Sequence, residues 1–213
     1  MDQDTPAQPR WRETQRRALQ DQIADAALVV FAEHGYAAGT YDQIAARAGV
    51  ARRTVANHFP RKRDMLDFWS RRRRSALAAL DGQESTRESS AAETLSHLMA
   101  RLAEINENEP DLARVLVSGS LTEYGSVTES FPVFDAFRDA VERGIAREEL
   151  RADYSPQLVA EILMTCYTDT LQRWLAPASG PARDELAPRL RAKLDIILTG
   201  IATSHPSPGA ACE

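Results

Sequence analysis

Apolar positions recur along this chain at three- and four-residue intervals, and no segment alternates strictly between apolar and polar residues. The pattern predicts an all-α fold. Leu19, Ile23, Ala26, Ala27, Val30 and Phe31 mark a first helix over about 13–34, with Gly35 as its stop. Thr40 is placed to cap a second helix over about 41–48, which carries Ile44, Ala45 and Ala48 on one face. Gly49 turns the chain into a third helix at about 51–57, and a fourth follows Pro60 over about 62–80. The stretch "DGQESTRESS" (81–90) has no apolar period and reads as a loop. Further helices are expected at 91–107, 110–123, 131–148, 156–176 and 184–203, separated by "ENEP", "GSVTESFP", "RADYSP" and "PASGP". The closing "SHPSPGAACE" reads as a disordered tail. The expected organisation is a disordered start (1–12), a small helical unit (13–62), a larger one (63–203) and the tail (204–213).

Composition narrows the function class. The chain has 213 residues, 43% hydrophobic and 27% charged, in keeping with a soluble globular protein. No apolar run approaches the roughly 20 residues of a membrane span, and the polar start lacks a signal-peptide core. A cytoplasmic protein without a membrane partner is expected. The two cysteines, Cys166 and Cys212, have no CxxC partner or histidine cluster, so neither a metal site nor a disulfide framework is expected. Cys166 sits in an apolar pattern and reads as buried and inert. There is no phosphate-binding glycine loop and no G-x-S-x-G elbow. The histidines, His34, His58, His97 and His205, fall on different segments. No catalytic residue and no cofactor are expected.

Charge distribution says more than its total. The net charge is −5, yet residues 1–75 hold 14 Arg/Lys against 9 Asp/Glu, a balance of +5. The remainder holds 12 against 22, a balance of −10. A basic head on an acidic body points to a polyanionic partner for the head alone. Within that head, two short helices joined through Gly49 form a helix-turn-helix pattern. Ala45 and Ala48 let the helices approach, Gly49 allows a positive φ, and Val50, Val55 and Phe59 hold the second helix down. Arg52, Arg53, Thr54, Ala56 and Asn57 are left for the solvent side and the flanks. In such a motif the second helix enters the major groove. Arg52 and Arg53 suit guanine O6 and N7, and Asn57 suits adenine.

The segment "FAEHGYAAGTYDQIAARAGVARRTVANHFPRKRDML" resembles the DNA-binding domain of tetracycline-repressor (TetR) family regulators. The likeness covers about residues 16–70: the F-x-x-x-G end of the first helix, Thr40, the IA-x-x-AGV turn and HFPRK. It implies that Thr40, His58 and Lys62 contact or support the DNA backbone while residues of the third helix, Arg52, Arg53, Thr54 and Asn57, read bases. The family's usual aromatic residue is replaced here by Ala56, which removes a DNA contact and changes the expected operator preference.

The resemblance further implies a helical ligand-binding and dimerisation domain. The expected function is a homodimeric, ligand-responsive regulator of transcription, a repressor that holds a near-palindromic double-stranded operator. Its expected effector is an apolar or amphipathic small molecule. Expected ligand contacts are Trp69, Asn106, Glu123, Tyr124, Phe137, Leu163 and Tyr167. The broad apolar stripes of the last two helices make Leu171, Trp174, Leu190, Leu194, Ile197 and Ile201 the expected dimer contacts. Two alternatives are a constitutive regulator or activator without a small-molecule ligand, and a helical protein-interaction module.

Overall fold

A computed structural model describes residues 8–81, 89–125, 133–176 and 185–202. The tail expected from residue 204 onward, residues 1–7, and most of the loop at 81–90 lie outside the described residues. Nine helices occur among the described residues: α1 (Gln8–His34), α2 (Tyr41–Ala48), α3 (Arg52–His58), α4 (Lys62–Asp81), α5 (Ala91–Asn108), α6 (Pro110–Tyr124), α7 (Val133–Ala146), α8 (Pro156–Leu175) and α9 (Leu186–Ile201). Each answers to a predicted helix within a few residues. The largest shift is in α1, which is helical from Gln8 although its apolar period starts later.

Local chemistry sets the ends of the helices. The Thr40 hydroxyl accepts from the Gln43 N–H, and the Gln43 side chain accepts from the Thr40 N–H, a reciprocal capping box. At the far end of α2, Gly49 takes φ +66°. Val50 N–H reaches Ala45 O at 3.0 Å and Gly49 N–H reaches Ala46 O at 3.3 Å, closing the helix in a Schellman pattern. The same logic starts α5, where Ser90 and Glu93 form a second box, and α8, where Ser155 caps and Pro156 occupies the first turn.

The contacts gather the chain into two compact units. The first is Met1–Ser70 with Asp111–Ser126; the second is Arg71–Pro110 with Val127–Glu213. The division therefore follows Ser70, not residue 62, and most of α6 is grouped with the first unit. The cause is packing. Leu112, Val115 and Leu116 of α6 join Ile23, Phe31, Ile44, Val55, Phe59 and Trp69 in one buried cluster. Gly119 is the close-approach point, since a Cβ there would lie 2.7 Å from a Leu66 methyl.

In the second unit α8 packs against α7 and α9, and α5 packs against α9 and α7. Leu95, Met99, Leu102, Phe137, Val141, Leu163, Tyr167, Leu171 and Trp174 are buried there. Leu186, Leu190 and Leu194 of α9 are also fully buried. This corrects the expected dimer contacts. Leu171, Trp174, Leu190 and Leu194 are spent on the interior of their own chain, because α9 needs its leucine stripe to close against α5 and α8. Ile197 and Ile201 are half-buried. The large apolar residues left exposed on α8 and α9 are Leu158, Ile162 and Ile196.

Candidate nucleic-acid interface

The first unit presents α3 as a short helix whose apolar side is anchored and whose basic side is open. Val55 and Phe59 are buried at 0% and 1% exposure, while Arg52, Arg53 and Asn57 are exposed. Thr54, Ala56 and His58 are half-buried. The anchoring extends to polar groups. The Tyr41 hydroxyl at the start of α2 donates to Phe59 O at 2.7 Å. Gln22 of α1 donates to Ala48 O at 2.8 Å, satisfying a carbonyl at the end of α2. The motif is thus braced by α1 at the end of α2 and by α2 itself at the end of α3.

The expected contact residues divide by what already holds them. Arg52 Nε lies 3.3 Å from Asp42 Oδ1, with both side chains well exposed. Such a pair is worth at most about 1 kcal/mol in water, so Arg52 exchanges readily to another acceptor. Thr40 has its hydroxyl committed to Gln43 both as donor (2.9 Å) and as acceptor (3.3 Å). Its first task is capping. Lys62 is more deeply committed: Nζ donates to Ala37 O at 2.8 Å and Tyr36 O at 3.2 Å. It also sits 5.7 Å from the Tyr36 ring centroid and 6.0 Å from that of Phe31. Lys62 thereby staples the start of α4 to the loop after α1, keeping one of its three protons for an outside acceptor. Arg61 is taken by Asp64, whose carboxyl it holds below the usual range by a 2.8 Å hydrogen bond.

His58 ends α3 with its imidazole pushed down from its ordinary pKa, by burial and then by the charge of Arg16. The apolar period of α1 says nothing of its polar flank, so it does not single out Arg16. The available signal was the four arginines, Arg10, Arg12, Arg16 and Arg17, against the single Glu13 in residues 8–17.

The expected ligand contacts fall in both units. Trp69, Glu123 and Tyr124 belong to the first. Trp69 is a core residue set edge-on to Phe31, 6.2 Å between centroids. Glu123 accepts from the Tyr36 hydroxyl at 3.0 Å, and Tyr124 donates to Asp67 at 3.2 Å. Both polar groups are therefore engaged with partners of the same unit. Asn106, Phe137, Leu163 and Tyr167 belong to the second unit and are all buried. Asn106 is the centre of a polar chain there. Its amide donates to Tyr167 at 2.9 Å and to Leu102 O at 2.6 Å, and its carbonyl accepts from Arg73 at 3.0 Å. Arg73, only 11% exposed, also reaches Glu109, and its Nε has no partner. Burial lowers the Arg73 pKa and raises that of Tyr167.

Residues 23–67 match the model of bacterial regulatory proteins of the tetR family. Over 188 residues the chain is 25% identical to a Mycobacterium tuberculosis (strain ATCC 25618 / H37Rv) protein named as the mycofactocin biosynthesis transcriptional regulator MftR. That alignment covers 84% of this chain and 89% of the relative. Among solved structures, the chain is similar to the TetR-family repressor FadR of Thermus thermophilus in complex with lauroyl-CoA. The TM-score is 0.67 at 25% identity, covering 89% of this chain and 99% of that one. It also shares the fold of Bacillus subtilis FadR in complex with stearoyl-CoA, with a TM-score of 0.70 at 20% identity over 84% and 98% of the two chains. The braced helix-turn-helix and the family match laid over it agree: residues 23–67 form a helix-turn-helix domain of the tetR type, in a chain similar along most of its length to regulators of transcription.

Proposed function

We propose that the protein is a sequence-specific repressor that leaves its operator when a hydrophobic or amphipathic small molecule binds. The observation that carries this reading is the mounting of α3: Val55 and Phe59 are buried while Arg52, Arg53 and Asn57 are exposed. Arg52 and Arg53 act as readers of guanine and Asn57 as a reader of adenine. Thr54 joins the base readers, and Thr40, His58 and Lys62 set the helix against the backbone. Two copies of α3, held about 35 Å apart, match successive major grooves on one face of DNA. The copies come from a homodimer paired through the outer faces of α8 and α9, where Leu158, Ile162 and Ile196 are exposed. The effector binds in the second unit among Asn106, Phe137, Leu163 and Tyr167, by preferring a conformation whose α3 spacing DNA does not accept. The acyl-CoA ligands of the two FadR structures support a ligand of amphipathic character.

Selection of bound duplexes from a random pool by the purified protein tests the reading. The expected product is a near-palindrome with half-sites about one helical turn apart. Enrichment of no sequence would leave a protein-interaction module as the better account.

A further inference from the structure

Arg73 of α4 carries a charge into the second unit with few groups to meet it. Its side chain is 11% exposed, and a guanidinium does not shed its proton inside a protein. One N–H on Nη1 donates to Asn106 Oδ1 at 3.0 Å. Nη2 reaches the Glu109 carbonyl and carboxylate only at 3.4 Å, and the Glu109 side chain is 55% exposed. Nε is buried and has no partner among the described residues. Glu107, from the same turn as Asn106, is spent on the Leu186 N–H at the start of α9. Arg101 Nε is also buried without a partner, but that side chain is 39% exposed and its head pairs with Glu104.

The two nitrogens left short on Arg73 are adjacent. Nε–H and one Nη2–H point the same way from the planar guanidinium, a parallel pair that matches the two oxygens of a carboxylate. The opposite side is fixed. Asn106 holds Nη1 through its carbonyl, while its amide donates to Tyr167 at 2.9 Å and to Leu102 O at 2.6 Å. That chain ties the guanidinium to α5 and α8. The turns that follow on the same helix faces are apolar. Leu102, Met99 and Leu95 precede Asn106 on α5, and Leu163 precedes Tyr167 on α8, at three- and four-residue spacing and all buried. A molecule that suits these surroundings has one anionic end and an apolar body.

We propose that the Nε–Nη2 edge of Arg73 seats the carboxylate of the effector, which is an ionised amphipathic carboxylic acid. The inference rests on the effector reading above and names the ligand class of that site. In the conformation the effector prefers, the carboxylate displaces the long Glu109 contact, and the apolar body lies among Met99, Leu102 and Leu163. Asn106 and Tyr167 are positioning residues, and Arg73 supplies the selectivity. A neutral molecule leaves the buried cation without its counter-charge, and an amphipathic cation adds a like charge beside it, so both are refused. A CoA thioester of the same chain has no free carboxylate and loses the pairing at this edge.

The test uses the full chain with laurate and 2-naphthoate, their methyl esters, and lauroyl-CoA, all below micelle-forming concentrations. Calorimetry on the wild type should show an acid bound at least about tenfold more tightly than its ester, the worth of one charge-assisted hydrogen bond. Arg73→Met should bring that ratio to about one. A merely structural role for Arg73 would weaken acid and ester alike and leave the ratio where it was. Arg73→Lys keeps the charge but not the paired N–H groups, and should restore part of the ratio. Should Arg73→Met fail to fold, the wild type still answers through the proton–nitrogen NMR signal of Arg73 Nε. The acid should move that signal downfield and the ester should leave it in place. Esters bound as tightly as acids, or an Nε signal unmoved by saturating acid, would overturn the proposal and leave the effector reading standing. A larger loss for lauroyl-CoA than for laurate in Arg73→Met would replace the carboxylate by a phosphate-bearing head. If no probe binds, the proposal and the effector reading fail together. Acid bound through Arg73 with affinity for the selected duplex unchanged would uphold the site and overturn the effector reading alone.

Discussion

The Tyr36 hydroxyl donates to Glu123 at 3.0 Å, joining residues 87 positions apart. Tyr36 is buried at 2% exposure in the loop between α1 and α2, and Glu123 lies at the end of α6. Burial, and then Glu123 itself, push the Tyr36 phenol far above its ordinary pKa, so the donor keeps its proton. The Tyr36 carbonyl accepts from Lys62. One residue thus ties the loop that precedes the helix-turn-helix to both α6 and α4. Tyr36→Phe removes only the hydroxyl. It should lower unfolding stability by about 1 kcal/mol with an unchanged urea m-value. No loss of stability would mean that the bond is replaced by water at no cost.

Lys62 and Arg53 should separate two kinds of loss. Lys62→Met keeps the apolar stem but removes the hydrogen bonds to Ala37 and Tyr36. It should lower Tm and weaken binding about equally on selected and random duplexes. Arg53→Ala removes an exposed side chain. It should leave Tm unchanged and relax preference at one base pair by about 1–3 kcal/mol. Thermal melts and affinities on single-base variants of the selected site read both effects.

The leucine stripe of α9 and its outer face should respond oppositely to one substitution. Leu194 is fully buried, whereas Ile196 is 74% exposed. Leu194→Glu forces a carboxylate into the packed interior of the second unit and should abolish the cooperative thermal transition. Ile196→Glu should leave circular dichroism intact and yield a folded monomer in sedimentation velocity. A folded dimer carrying Ile196→Glu would place the pairing surface elsewhere.

Asn106 holds a buried arginine. Asn106→Leu removes the acceptor for Arg73 and the donor to Tyr167. It leaves a desolvated cation with one partner fewer, so the expected cost is about 3 kcal/mol. Denaturant unfolding of the variant checks this. A neutral result would show that Arg73 turns outward when its partner is lost.

These residues also show what the sequence made legible. Thr40 and Gly49 were readable because capping and left-handed turns are local chemistry, decided within a few residues. The apolar stripes were readable for the same reason, and all nine described helices follow from them. A stripe identifies a buried face without saying what covers it, which is why Leu190 and Leu194 read as dimer contacts though their own chain covers them. Long-range polar pairs left no periodic trace. Tyr36 with Glu123, and Arg73 with Asn106, need the fold before they can be seen. Lys62 was legible as a charge, but the direction of its ammonium towards two carbonyls was not.

If the exposed, braced α3 reads DNA sequence, the protein must prefer one duplex over another by a large affinity ratio. The full chain should be titrated at fixed salt against the selected duplex and against a scrambled duplex of the same length and composition. The selected site should bind at least about a thousandfold more tightly, and Arg52→Ala combined with Arg53→Ala should collapse most of that ratio. A wild-type ratio near one, with affinity set by salt alone, would contradict it.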